Sequence, residues 1–313
     1  MDRHSKLAKL SAQIFMLRLH AYGALGWEYR SPGIAPMALN ALRAYGMLYS
    51  KSGMFNSHGS LQGRGYGDQI FSLADVTAPS LDVDADGEDI YAGFGGAVLT
   101  LDNSAKGVLQ FDSRVIIRRD RGLLNTRNVQ GMKRVGLVDR EFERRFEVYA
   151  HDQTEARAAI TPDFMERLMQ FDEDYLGRNI QCAFVGGQLH ICLEIDDRFD
   201  FNRAHLGDTY EGISAIVLHE LAAVFTVLEL GQRLQNTIGV QTDETMDKAR
   251  GVYYAQQLKG VQAVLTSPPE NWLEMPKIDP AMRYSHFLFD GYMGQMVKSV
   301  YAPLTRPKPK TQP

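Results

Sequence analysis

Residues 178–195, RNIQCAFVGGQLHICLEI, are the stretch of sequence that decides the fold. Two runs of β-prone residues flank Gly186 and Gly187, and paired glycines suit the two-residue turn of a β-hairpin. That turn predicts the facing pairs on one side: Phe184 with Leu189, Cys182 with Ile191, and Ile180 with Leu193. The pairs predicted on the other side are Ala183 with His190 and Gln181 with Cys192. The first side is predicted to be core and the second mixed, and the cysteines, on opposite faces, cannot form a disulfide without breaking the pairing.

Strand-like runs continue on the N-terminal side of this hairpin. Residues 69–77, 90–102 and 113–119 are rich in β-branched and aromatic residues and are separated by Gly, Asp and Asn. This pattern predicts antiparallel strands. No helical pattern alternates with them, so a doubly wound parallel sheet is disfavoured.

A glycine-rich segment precedes these strands. Residues 52–68, SGMFNSHGSLQGRGYGD, contain many turn-forming residues and are predicted to be a long loop. The last six, GRGYGD, have neither the glycine spacing of a dinucleotide fingerprint nor the Lys-Ser/Thr of a phosphate loop. We interpret them as a flexible surface loop, with anion binding by their amides as the alternative.

Helical patterns lie on both sides of the β-rich region. The predicted helices cover residues 5–20, 36–49, 161–175, 213–236, 242–265 and 289–300. The third begins with Thr161 as N-cap and Pro162 in its first turn. The fourth and fifth form an antiparallel helical hairpin. A Pro-rich link over 267–280 follows this hairpin.

These elements predict an α+β fold, with a mainly antiparallel β domain flanked by N-terminal and C-terminal helices. The chain divides into N-terminal helices over 1–50, an α+β core over 51–210, a helical hairpin over 211–266, and a linker, amphipathic helix and disordered tail over 267–313.

Composition restricts the function and the compartment. The 313 residues include 34 Lys and Arg against 38 Asp and Glu, a net charge of −4, so no global field attracts nucleic acid and none is expected as a partner. Only two cysteines occur, which favours a reducing, cytoplasmic location. The N-terminal residues lack the uninterrupted apolar core of a signal peptide. The longest apolar stretch, 212–230, contains His219, Glu220 and Glu229, so we interpret it as a buried core helix.

Two motifs resemble halves of metal sites, and each lacks a ligand. HELAA at 219–223 begins like a zinc-protease helix but has Ala223 where the second histidine belongs. DVDADGED at 82–89 begins like a calcium loop but has Gly93 in place of the bidentate glutamate. We expect a packed helix and an acidic strand-connecting turn, no metal and no cofactor.

Charge is distributed unevenly along the chain. Ten basic residues against four acidic ones lie between residues 114 and 145, and the balance reverses over 163–200. The simpler interpretation is that the two segments neutralise each other or face water. The functional alternative is an arginine surface for anionic lipid headgroups or an acidic partner. Its candidate anion-binding residues are Arg114, Arg118, Arg119 and Arg121.

Residues 146–168, FEVYAHDQTEARAAITPDFMERL, carry a family resemblance. Their F-x-V-Y, D-Q-x-E-A-R and T-P-x-x-M-E-R-L series resembles that of a bacterial family known as domain of unknown function 3137. The resemblance covers roughly residues 40–210. Members often carry hydrophobic membrane segments ahead of the domain, whereas this chain has the amphipathic helix at 5–20. The resemblance implies no activity and no catalytic residues.

Three charged residues within this motif are candidates for a functional site. Asp152, Glu155 and Arg157 fall between a predicted strand and a helix that starts with proline. Carboxylate and guanidinium groups there can tie a turn to backbone amides or to each other. We favour this structural clasp over an active site.

The expected function is a non-catalytic scaffold or binding protein at the inner face of the cytoplasmic membrane. The rival is a hydrolase-like enzyme that uses His219, Glu220 or the Asp152 and Glu155 pair. The stripe of the first helix, Leu7, Leu10, Ile14 and Leu17, fits an anionic membrane surface or the protein core. Core packing is the favoured interpretation.

Overall fold

The computed structural model describes most of the chain between residues 3 and 269. The described ranges are 3–30, 56–78, 81–83, 89–91, 94–102, 114–120, 131–174, 180–194, 209–237 and 244–269, with Leu42 and Met47. The predicted helix at 36–49 lies outside them apart from those two residues. The predicted helix at 289–300, the tail and most of the link at 267–280 also lie outside the described residues.

Within these ranges the chain combines helices with a large antiparallel sheet. The helices are α1 Arg3–Ala24, α2 Arg140–Arg145, α3 Gln153–Ala159, α4 Pro162–Asp174, α5 Tyr210–Asn236 and α6 Glu244–Val264. The strands are β1 Glu28–Arg30, β2 Asn56–Arg64, β3 Ile70–Ala78, β4 Leu81–Val83, β5 Asp89–Tyr91, β6 Phe94–Asp102, β7 Val115–Arg119, β8 Lys133–Val135, β9 Phe146–Ala150, β10 Ile180–Val185 and β11 Gln188–Glu194. Nine strands form one sheet in the order β1-β2-β3-β6-β11-β10-β7-β9-β8, while β4 pairs with β5. The predicted α+β class is confirmed.

The central hairpin β10–β11 has the predicted register. All five facing pairs form as expected from the two-residue turn. Gly186 and Gly187 adopt φ angles of 58° and 75°, a left-handed conformation that glycine adopts at little cost. Cys182 and Cys192 are buried and free, and they lie in the apolar clusters on opposite faces of the sheet. The prediction that they do not bridge is confirmed.

The second face of the hairpin is more buried than the predicted mixed surface. Gln181 and His190 on this face are only 8% and 2% exposed. A second apolar cluster covers it, formed by Leu42, Met47, Ala74, Val76, Phe94, Val98, Ile116, Met132, Ala183 and Cys192. The central strands are therefore buried on both sides.

Strand β2 occupies most of the segment predicted as a long loop over 52–68, so that prediction is wrong. The strand pairs with β1 on one side and β3 on the other. A Cβ at Gly59 would lie 2.5 Å from Tyr29 Oη, and one at Gly63 would lie 2.8 Å from Trp27 Cγ. The glycines thus reflect the close approach of two aromatic rings to a strand backbone.

The segment GRGYGD at 63–68 is anchored to other elements, which corrects its interpretation as a flexible loop, although Arg64, Gly67 and Asp68 are exposed. It contains the end of β2 and a 3-10 turn that begins at Tyr66. The Tyr254 hydroxyl on α6 accepts a hydrogen bond from Tyr66 N at 3.3 Å and donates to Gln232 Oε1 on α5 at 3.0 Å. A Cβ at Gly65 would lie 2.8 Å from Gln232 Nε2. The turn is therefore fastened to both long helices.

The helix predicted over 161–175 forms as α4. Thr161 Oγ1 accepts a hydrogen bond from Phe164 N at 3.1 Å and donates to Thr237 O at 2.8 Å. The N-cap therefore also links the start of α4 to the end of α5. Phe164, Leu168 and Phe171 are buried, as the predicted inner face requires.

Helices α5 and α6 form the predicted antiparallel hairpin. The Tyr210 hydroxyl at the start of α5 donates to Leu265 O, just beyond the end of α6, at 3.1 Å. Gly231 allows α5 to approach the sheet, because a Cβ there would lie 2.6 Å from Leu99 Cδ2. In the described part of the chain, α5 alone is long and apolar enough to span a membrane. Because 78% of its most apolar window is buried inside the protein, this is weak support for a span.

The first helix packs against the core. Ile14 and Leu17 are buried in the main apolar cluster together with residues of α5 and α6. The core-packing interpretation is therefore confirmed for these two residues. The side chains of Leu7 and Leu10 lie outside the described residues.

A buried histidine on the second face of the sheet makes stability depend on pH. His190 Nδ1 lies 3.0 Å from Thr100 Oγ1, and burial lowers the pKa of His190 to about 4. The unfolded chain has a histidine pKa of about 6.5 and therefore binds more protons between these values. Stability contributed by neutral His190 is complete above pH of about 6.5 and is lost as the pH falls towards 4.

We expect the free energy of unfolding to fall by up to about 3 kcal/mol between pH 6.5 and 4 because of this residue. His190→Asn should flatten that part of the profile in urea titrations followed by circular dichroism. His151→Asn, at an exposed position, is the matched control and should leave the slope unchanged. Equal slopes for the wild type and His190→Asn would contradict the prediction.

Candidate functional site

A short loop between β8 and α2 is anchored at both ends. At its end, Asp139 caps α2 by accepting two backbone N–H bonds at 2.8 and 3.0 Å. Phe142 in this helix is fully buried and holds α2 against the core. At its start, Leu137 N donates to Glu143 Oε1 at 2.7 Å. These contacts fix residues 136–139 in one position.

The predicted clasp residues support the same loop from α3. Asp152 is the N-cap of α3 and accepts bonds from Thr154 N and Glu155 N at 2.7 and 3.1 Å. Arg157 Nε donates to Gly136 O at 3.1 Å. Asp152 and Arg157 thus contact backbone groups, as a structural clasp does, and Arg157 connects α3 to the loop.

The fixed loop exposes an apolar side chain that is close in sequence to three exposed cations. Val138 is 98% exposed. Lys133, Arg140 and Arg144 are exposed within a few residues of it along the chain. No ion pair with another described residue engages these three cations. We call Val138 and these three residues the basic corner.

Two of the four arginines predicted to bind anions are paired within the protein. The Arg118 side chain, 12% exposed, lies 3.8 Å from Glu147 Oε2, and its guanidinium lies 4.7 Å from the centre of the Tyr149 ring. Arg119 Nη1 donates to Asp172 Oδ1 at 3.2 Å. The contact of Arg119 with Asp172 joins the basic segment to the acidic one, as the neutralising interpretation requires. The partner of Arg118, Glu147, lies between the two segments.

Acidic side chains around Asp172 are likewise compensated by arginines. Burial raises the pKa of Asp172, while the guanidinium groups of Arg119 and Arg145 oppose that rise. Arg145 also donates to Glu173 Oε1 at 2.7 Å. The other two predicted arginines give less information, since Arg114 is exposed and Arg121 lies outside the described residues.

The HELAA motif lies in the interface between α1 and α5. Glu220, with 5% of its side chain exposed, accepts a bond from Arg18 Nε at 2.6 Å and a second from Arg18 Nη2. Ala223 is buried where a zinc protease has its second histidine. Among the residues that the structure describes, no group of three or more metal-ligating side chains forms.

The acidic segment at 82–89 joins two short paired strands. β4 and β5 are antiparallel, with Val83 opposite Asp89, so the chain reverses direction between them. This agrees with the predicted strand-connecting turn. Residues 84–88, where the turn is predicted, lie outside the described residues.

Sequence reasoning identified the basic segment but missed the basic corner. The available signal was local: Leu137 and Val138 are two apolar residues between Gly136 and the N-cap Asp139. Which of the two faces outward is decided by packing, because Leu137 packs against the main core while Val138 does not. Periodicity in so short a loop does not distinguish them.

Comparison with known proteins gives one match. Residues 94–230 match the family model described as "Protein of unknown function (DUF3137)". The matched region contains the basic corner, the clasp residues and the first part of α5. No curated protein and no solved structure matches the chain.

Proposed function

Since residues 94–230 place this chain in the family of proteins of unknown function DUF3137, a description that names no activity, we propose its function from the geometry. The protein is a non-catalytic binding or scaffold protein that associates with the inner face of the bacterial cytoplasmic membrane. The basic corner is the part that contacts the anionic lipid surface.

The exposure of Val138 carries this proposal. A side chain 98% exposed on a loop fixed at both ends gains free energy when it enters an apolar environment, about 1.5 kcal/mol for a valine. Each of the three nearby cations adds about 1 kcal/mol close to an anionic leaflet. The sum is a weak and salt-sensitive attraction, as expected of peripheral association.

The contacts of the candidate catalytic residues support a non-catalytic role. Both Glu220 oxygens accept bonds from Arg18, so this carboxylate is a poor general base. Asp152 caps α3.

Vesicle flotation at low salt tests the membrane proposal. The wild type should float with vesicles containing anionic phosphatidylglycerol and remain at the bottom with zwitterionic phosphatidylcholine. Val138→Ser and the triple variant Lys133→Gln, Arg140→Gln, Arg144→Gln should each reduce the floating fraction several-fold. Raising the salt to about 0.5 M should have the same effect on the wild type.

Matched controls lie on α6. Val252 is 56% exposed, and Val252→Ser should float like the wild type. Lys248→Gln with Lys259→Gln removes two exposed cations from the same helix and should have little effect. A wild type that does not float, or control variants that lose flotation as fully as the corner variants, would overturn the proposal.

A further inference from the structure

Strand β8 is the last strand of the nine-stranded sheet. In the described part of the chain it pairs with β9 and with no other strand. Successive residues of a strand direct their backbone groups to opposite sides, so the groups of Arg134 and Gly136, two positions apart, point to one side. That side faces away from β9, because the carbonyls of both residues accept hydrogen bonds from side chains of α3. When such an outer edge is uncovered, it can pair with a strand of another molecule.

Helix α3 lies along the outer edge of β8. Gln153 Nε2 donates to Arg134 O at 3.3 Å, and Arg157 Nε donates to Gly136 O at 3.1 Å. Arg157 Nη2 also donates to Gln153 Oε1 at 3.4 Å, which joins the two donor side chains. Their spacing fits the edge, since four residues of a helix rise about 6.0 Å and two residues of a strand about 6.8 Å. The helix therefore occupies the place of a further strand.

The position of α3 depends on a small number of contacts. A helix of 7 residues is too short to be stable by itself. It is held by the Asp152 N-cap, by burial of Ala156 and Ala159 in the main core, and by the bonds of Gln153 and Arg157 to the edge. Loss of the cap and of both side-chain donors should therefore release α3 from β8.

We propose that the outer edge of β8 is a self-association surface and that α3 is the inhibitory contact that covers it. The partner is the same edge of a second copy of this chain. In a two-fold antiparallel pairing centred on Val135, Arg134 lies opposite Gly136 of the second copy and Lys133 lies opposite its Leu137. The cations of the two copies are then not directly opposed, so like charges do not prevent the pairing. The proposal does not depend on membrane binding.

The oligomeric state of the full chain tests this proposal. A release variant with Asp152→Ala, Gln153→Ala and Arg157→Ala loses the cap and both donors, while alanine keeps a high helix propensity. Sedimentation equilibrium over a dilution series should give a mass that rises with concentration towards twice that of the wild type. Thr154→Ala, at an exposed position of the same helix, is the matched control and should keep the wild-type mass. A folded release variant with the wild-type mass at every concentration would overturn the proposal.

A fourth substitution assigns the self-association to the edge of β8. The N–H of Arg134 points away from β9, as its carbonyl does, so Arg134→Pro removes a donor from the outer edge and keeps the pairing with β9. Added to the release variant, it should return the mass to the wild-type value. Arg134→Ala also removes the ion pair with Glu147 but keeps the N–H, and should leave the dimer intact. Dimers that persist with Arg134→Pro would place the contact on another surface and overturn the assignment.

A milder variant covers the case in which the release variant does not fold. Gln153→Ala with Arg157→Ala keeps the Asp152 cap and removes only exposed side-chain contacts, so the buried core is unchanged. Its mass should also rise above that of the wild type, at higher concentrations than the release variant requires. If this double variant has the circular dichroism spectrum and the mass of the wild type at the highest concentration, α3 does not inhibit self-association and the proposal is wrong.

Discussion

Glu220→Ala is expected to lower the free energy of unfolding by about 3 to 5 kcal/mol, because it leaves the Arg18 guanidinium without its carboxylate in a low-dielectric interface. Arg18 and Glu220 have only 12% and 5% of their side-chain surface exposed. Both oxygens of Glu220 are engaged by Arg18. Urea unfolding followed by circular dichroism measures the change.

The double variant Arg18→Met, Glu220→Leu distinguishes the cost of an unpaired buried guanidinium from the cost of a cavity. It replaces the ion pair with apolar side chains of similar length and should recover most of the stability lost in Glu220→Ala. Glu28→Ala, which removes the partner of Arg30 in an exposed ion pair, should cost less than about 1 kcal/mol. A small effect of Glu220→Ala, similar to that of Glu28→Ala, would show that α1 does not dock on α5 as described.

Local signals in the sequence were sufficient for parts of this fold. The register of β10–β11 follows from Gly186-Gly187 and a side-chain period of two, so all five pairs were predictable. The start of α4 follows from Thr161 and Pro162 in the same way. In these places the residues that determine the structure lie next to each other in the chain.

Contacts between distant segments were not predictable from the sequence. Arg18 and Glu220 are separated by 202 positions, so the HELAA motif gave no sign of its partner. The ion pair of Arg167 on α4 with Asp247 on α6 forms only once these helices have assembled. For the same reason Val138 could not be distinguished from Leu137 before the packing of α2 was known.

Strand β2 is the clearest example of a prediction that failed, because its glycines were interpreted as loop residues. Gly63 pairs with Phe71 on β3. A Cβ there would lie 2.8 and 2.9 Å from the Cγ and Nε1 atoms of Trp27 and would also collide with Cδ1. The indole is held by a hydrogen bond from its Nε1 to Arg64 O at 3.2 Å. It also packs edge-on against Phe71 and Phe225, at centroid distances of 5.0 and 5.3 Å.

Gly63→Ala is therefore expected to destabilise the protein by about 3 kcal/mol, since the ring must give up its hydrogen bond or its aromatic contacts to make room for the added Cβ. Gly260→Ala is the matched control. Gly260 lies inside α6 with no atom within 4 Å of an added Cβ, so the substitution should stabilise the protein by about 0.5 to 1 kcal/mol through helix propensity. Both are measured by urea unfolding monitored by circular dichroism. A lower free energy of unfolding for Gly63→Ala together with a higher one for Gly260→Ala would show that Gly63 is required by the nearby ring of Trp27. A stability of Gly63→Ala within about 0.5 kcal/mol of the wild type would instead support the loop predicted from composition.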